Sequence, residues 1–253
     1  MVCEADIVLP ATFRQRVMLG SSEGESVSTP DWFENSYNTF REIVSHPDYP
    51  CYLGTAAEQR GELYYTYVSS ECIEKLPVTL ERFLRASHKA PRERRNLTVF
   101  FEPDKLPRSH DEYRRCFWST LQFIHAHDPE PWPEGTPVDA NDPCWEFAFF
   151  GHLIFTFCAA PSYRLRSSRN LGPGMVILMQ PRESFFGIES ATKAGMRARD
   201  RTRERLSSWD NMAPHPDLKG FGEPGNREWK QYFLPDSNEP VKGCCPFAIR
   251  SVT

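Results

Sequence analysis

Two hydrophobic periods alternate along the chain. In "STPDWFENSYNTFREIVSH" the apolar positions Trp32, Phe33, Tyr37, Phe40 and Val44 recur at three- and four-residue spacing. That spacing predicts a helix with Thr29 as N-cap, Pro30 at its first position and Pro47 closing it. Leu80, Phe83, Leu84 and Ser87 share one face of a second predicted helix, 77–89, with Pro77 near its start. Tyr113, Phe117, Leu121 and Ile124 do the same for a third, from His110 to His127. Between the helices lie β-prone runs: Leu63 to Val68 after a Gly-Glu turn and a short irregular or helical passage, then "NLTVFFEP", then "GMVILMQP". "PCWEFAFFGHLIFTFCAAP" is too long and too aromatic for one exposed strand, and Gly151 at its centre predicts two adjacent core strands. "SATKAGMRARDRTRERLSSWD" predicts a charged helix, and the tail from Asn211 is loop-rich. Strands and helices mixed irregularly, without an internal repeat, predict one α/β (α+β-like) domain with a mixed β-sheet flanked by helices. It spans residues 29–253, after a polar lead-in over 1–28.

Composition narrows the function classes. Of 253 residues, 40% are hydrophobic and 13% aromatic, ample for a single large core. A net charge of -4 gives no electrostatic footprint for nucleic acid, so the local basic runs at 90–95 and 196–205 are expected to be solvated faces or local anion sites. No apolar run reaches the ~20 residues of a membrane span, and the N-terminus resembles neither a secretory signal nor a transit peptide. A cytoplasmic location is therefore expected, with no membrane and no nucleic acid as partners. Eight cysteines without CxxC spacing are expected to be reduced thiols rather than a zinc site or a redox pair.

No HExxH, GxSxG, Walker A or GxGxxG element occurs, which removes the usual supports for hydrolase, kinase and nicotinamide readings. The remaining candidate chemistry is sparse. "FIHAHDPEPWP" pairs His125 with His127. On a strand such residues share a face, but on a helix they point roughly 200° apart, so at most one of them is a ligand. Both equally suit a helix end, where cations complement the macrodipole. His152, in "FFGHLIF", is either a satisfied core imidazole or a ligand. Arg164, Arg166 and Arg169 cluster after one strand and Arg182 follows another; such arginines hold carboxylates or phosphates, or simply face solvent. Cys51 is either a thiolate ligand or an inert thiol.

The chain resembles the YqcI/YcgG family. The resemblance is carried, in order, by "YPCYLG" at 49–54, "GELYYTYV" at 61–68, His125-x-x-Asp128 with "PWP" at 131–133, "DPCWEFAFFGHLIF" at 142–155, "SYRLRSSRN" at 162–170, "ILMQPRESFFGI" at 177–188, "NREWKQYFLPD" at 226–236 and "CCPF" at 244–247. It implies a haem-dependent oxygenase that N-hydroxylates a guanidine or amine nitrogen of an arginine-like or natural-product substrate. Dioxygen and an external electron donor, a redox partner or reductant, would then be required. Where the catalytic branch is expected to carry Leu-His-Pro, this chain has Ala159-Ala160-Pro161, and the segment ending at Tyr232 lacks a Ser-Glu-Ala pattern. On this reading the cofactor is haem b, and its iron is held by His125, oriented by Asp128, with His127 structural. His152 and Cys51 follow as alternative ligands, and Arg164, Arg166, Arg169 and Arg182 hold propionates or an acidic substrate group. Glu146 and Glu183 are candidates for gripping a guanidinium, while catalytic residues are not assigned. Two other classes stay open: a haem or small-ligand sensor or carrier without turnover, and a cofactor-free interaction domain.

Overall fold

The computed structural model describes residues 16–18, 29–69, 73–89 and 93–250; most of the lead-in expected over 1–28 lies outside them. Its described part, Arg16 to Met18, lies against the first strand: Val17 bridges Tyr65 in parallel, and Arg16 donates to Glu58 at 2.9 Å.

The described residues contain six α-helices and a five-stranded mixed sheet. The helices are α1 (Asp31–Val44), α2 (Tyr52–Arg60), α3 (Leu76–His88), α4 (His110–Ala126), α5 (Lys193–Asp210) and α6 (Trp229–Tyr232). The strands are β1 (Leu63–Val68), β2 (Asn96–Phe101), β3 (Ala148–Phe149), β4 (His152–Ala159) and β5 (Val176–Pro181), in the order β1-β2-β5-β4-β3. Only β1 and β2 run parallel, joined through α3 as parallel neighbours require. β3 and β4 form the expected pair at Gly151. Phe150 (φ 52°) and Gly151 (φ 71°) both take left-handed backbone there, the two-residue turn whose twist matches a hairpin. Helix α1 starts one residue later than its spacing predicts. Pro30 is the N-cap without a side-chain bond, and Thr29 donates to Glu34 instead. The short helix α6 was not expected from the tail.

Strand alternation sends Leu97, Val99, Ile154, Cys158, Ile177 and Met179 to one face, where they pack under α3 and α4. The opposite face carries Leu63, Tyr65, Phe100, Ala159 and Val176 under Phe33, Tyr37, Phe40 and Val44 of α1. α5 is held mainly by polar bonds. Within it only Gly195 and Asp210 are buried, and its arginines reach the carbonyls of Leu218 and Tyr49 and the Glu223 carboxylate. The basic run thus serves as a set of anchors, with Arg201 and Arg205 also over the Tyr52 ring.

Where β2 and β5 end together, Gly174 leaves no room for a side chain, because a Cβ there would lie 2.3 Å from the Phe101 carbonyl oxygen. Phe101 is held in β2, with its N–H on the Met175 carbonyl at 2.9 Å, so the clash is with backbone that cannot easily yield. Gly174→Ala is expected to destabilise the domain by ~1–3 kcal/mol, the usual cost of overpacking. Urea unfolding checks this through a lowered midpoint.

Candidate functional site

His125 ends α4 in an enclosed aromatic box. Its ring lies 5.0 Å from Phe247 and 5.8 Å from Trp132, and Trp132 stacks on Trp145. Nε2 accepts the Arg250 amide N–H at 2.9 Å, so a neutral ring carries its proton on Nδ1, which is buried without a partner. The expected orientation by Asp128 is not made. That carboxylate accepts the N–H groups of Phe150 and Glu130 and fixes the hairpin turn. His127 caps the helix, with Nδ1 against the Phe123 carbonyl. A strap over 244–250 closes the box: Gln122 pairs with both backbone groups of Ala248, and the Arg250 side chain holds the carbonyls of Ala126 and Asp128.

The four arginines separate. Arg164 is exposed. Arg166 is buried and donates to Pro235 O and Ser237 O, and also to the Asn238 side chain. Arg182 is gripped by acids: its guanidinium makes a two-point contact with Glu146 and reaches Glu228 at 3.2 Å, over the rings of Phe221 and Phe185. Glu146 does therefore bind a guanidinium, and it is the chain's own. Glu183 instead takes Nδ1 of His152 at 2.8 Å, near the half-exposed hairpin. The buried carboxyls of Glu146 and Glu228 are displaced upward, chiefly by burial and against the pull of Arg182, with Glu146 raised to about 8.

Arg169 is different. It is 9% exposed, lies 4.5 Å over the Phe157 ring, and donates to the carbonyls of Cys158, Tyr232 and Gln231. Among the described residues no carboxylate is within bonding distance of it. Phe157 and Leu178 pack against the α1-side core and are partly exposed, whereas Phe155 packs with the α4-side cluster, its ring 6.0 Å from that of Tyr232. Thr98, paired with Leu178 across the ladder and so on the same face, has a buried hydroxyl without a partner. Cys51 stands on this side, between Tyr49 and Ala57 of the same cluster. Its Sγ accepts the Gly54 N–H at the start of α2. Cys51 is an exposed residue, while burial of its thiol pushes that group up from its ordinary value. A shallow groove of about 640 Å³ is lined by Thr39, Ile43, Ser167, Asn170, Gly172 and Trp209; its lining has no acid, base or thiol. Among the described residues no cluster of three or more His, Cys, Asp and Glu could hold a bare metal ion, no helix is long and apolar enough to cross a membrane, and six cysteines are unpaired.

A sequence model of the YqcI/YcgG family matches residues 40–248. The chain belongs to the YqcI/YcgG family. The Bacillus subtilis (strain 168) protein YqcI is 30% identical over 226 residues, covering 86% of this chain and 88% of its own length. YcgG of the same strain is 29% identical, covering 87% and 89%. A Streptomyces lavendulae protein carrying the name "Putative N(omega)-hydroxy-L-arginine synthase DcsA" is 29% identical, covering 87% and 85%. No solved structure matches the chain significantly. The YqcI/YcgG match takes in Cys51, Arg169 and Phe247 alike. Sequence reasoning passed over Glu228 and Phe157. For Phe157 the signal was present: in β4 Phe155 and Phe157 alternate with Thr156 and Cys158, giving both faces of one strand bulk that only packing or a ligand can cover.

Two pH responses follow. A carboxyl raised on folding favours the protonated protein, so Glu146 contributes stability that is complete below 4.5 and is lost as pH rises through about 8. Comparing chemical denaturation of wild type and Glu146→Gln from pH 5 to 8 should show this decline in the wild type and a flatter curve in the variant. His125 is lowered by burial and by Arg250, so its contribution is present above 6.5 and is lost as pH falls through its folded value. Acidification below pH 6.5 should release the strap, reported by tryptophan emission from the box, and His125→Asn should abolish that transition.

Proposed function

We propose that this chain is a haem-dependent oxygenase that N-hydroxylates a guanidine or amine nitrogen of an arginine-like substrate. The observation that carries the reading is the partly exposed pair Phe157 and Leu178 on the α1 side of the sheet, with a buried guanidinium over the Phe157 ring. The printed name of the Streptomyces relative supplies the reaction class.

An axial ligand needs a free lone pair facing an apolar slot. His125 does not fit, since its Nε2 already accepts an N–H and aromatic rings close around it. Cys51 Sγ and His152 Nε2 each keep an open donor pair, and Cys51 lies on the α1 side of the sheet. Phe157 and Leu178 would offer apolar surface to a planar group with anionic arms, and Arg169 would offer charge. When bound, haem supplies dioxygen activation, with electrons from an external donor. The chain's part is positional and electrostatic. The Gly54 N–H and the start of α2 favour a thiolate at Cys51 against the opposing effect of burial. Arg182 keeps Glu146 and Glu228 engaged, so this buried acid pair is not free to grip a second guanidinium.

Protein from cells given a haem precursor should show a Soret band that is lost or shifted in Cys51→Ala and kept in His125→Ala. With reductant, air and L-arginine or a panel of guanidines and amines, the product should gain one oxygen derived from dioxygen. A Soret band with dioxygen binding but no oxidised product in the panel would favour a sensor or carrier. A protein that stays colourless on haem titration would overturn the haem reading altogether.

A further inference from the structure

We infer that His88 and His152 together bind a divalent transition-metal ion of the zinc class, with Glu183 orienting the His152 ring. The inference does not depend on the haem reading. His88 is the last residue of α3 and His152 the first of β4, and folding brings their rings to 5.9 Å between centroids at an interplanar angle of 68°. A metal–nitrogen bond of ~2.0–2.1 Å puts each ring centroid roughly 3.2 Å from an ion, so two imidazoles sharing one ion have centroids roughly 5–6 Å apart. The His88–His152 separation falls in that interval. Glu183 takes Nδ1 of His152 at 2.8 Å, which fixes the tautomer of a neutral ring and leaves the Nε2 lone pair for a ligand, the usual arrangement around a metal-bound imidazole. Glu183 is itself kept ionised: against burial, the His152 hydrogen bond and the electrostatic pull of His152 and His88 hold it below the usual carboxylate range. Neighbouring guanidinium groups are engaged elsewhere. Arg182 lies between Glu146 and Glu228, and Arg85 pairs with Glu81 at 2.9 Å and covers the Phe150 ring. The negative end of the α3 dipole falls at His88 and favours a cation there. His88 is exposed and the His152 side chain is 19% exposed, so an ion reaches both from solvent. Among the described residues no three side chains form a ligand cluster; two imidazoles therefore hold an exchangeable ion whose other positions belong to water, unlike a closed structural zinc site. Such an ion would tie α3 to β4 beside the hairpin turn.

Calorimetric titration of Zn2+ into the haem-free full chain at neutral pH tests the site, and any binding elsewhere on the chain is common to all variants. The inference expects saturable binding that weakens roughly tenfold or more in His88→Ala and in His152→Ala. Glu183→Gln keeps both ligands and loses the orienting carboxylate, and it should weaken binding by roughly tenfold to a hundredfold. Because the two imidazoles come together only in the folded chain, Zn2+ should also raise the melting temperature of the wild type and leave that of His88→Ala unchanged. His88 is exposed, so its replacement keeps the fold, and it carries the test alone if His152→Ala unfolds. No saturable binding in the wild type, or binding that His88→Ala leaves unchanged, overturns the inference. Binding that Glu183→Gln alone leaves unchanged overturns the orienting role.

Discussion

The turn over 163–170 ties the molecule together by exchanging bonds in both directions with the loop-rich C-terminal third. Its backbone amides at Arg164, Leu165 and Arg166 all point at the Asp236 carboxylate, at 2.9–3.1 Å, and the amide of Ser168 points at Asp210. In return, Arg166 and Arg169 bind the carbonyls of Gln231, Tyr232, Pro235 and Ser237. Each strand of the brace satisfies polar groups that burial would otherwise leave unpaired. Helix α6 is thereby pressed against β4, which has only the two residues of β3 as strand partner on that side. The exchange adds to the Phe147 N–H bond on the Tyr232 hydroxyl and to the ring contacts with Phe117 that hold Tyr232 and Phe233 in the core.

How much of this could be read from the chain differs by element. Strands at 63–68 and 176–181 and the helices at α3 and α4 were visible because one hydrophobic period dominated each. The hairpin at Gly151 was visible because glycine marks the break. Helix α6 was hidden: four residues cannot display a helical period, and its placement comes from the 163–170 brace, contributed by a distant segment. The pairing of β1 with β2 in parallel and β2 with β5 across a long connection is likewise invisible to local pattern.

Side-chain roles were less legible than elements for one physical reason. An arginine's spacing says where it leaves the backbone, not what it meets six ångströms away. Arg164, Arg166, Arg169 and Arg182 looked alike in sequence, yet one is exposed, one ties a loop, one is buried over an aromatic ring and one sits between two acids. His125 was the natural choice of ligand on helical geometry alone. The residues that engage it, Phe247 and Arg250, lie more than a hundred positions away, and no local spacing could announce that its nitrogen was already taken. Cys51, ranked behind both histidines for want of context, acquires its context from Tyr49, Ala57 and a sheet face assembled elsewhere.

The strap over 244–250 also bears on the order in which the domain can be completed. Every strand and all six helices of the described residues precede Phe247 and Arg250 in the chain. With the strap undocked, Trp132, Trp145 and Phe147 would lose the Phe247 ring, and His125 the N–H donor on its Nε2. Such a state exposes an aromatic hollow, a surface suited to transient capture by chaperones. Docking of Phe247 and Arg250 converts that hollow into core.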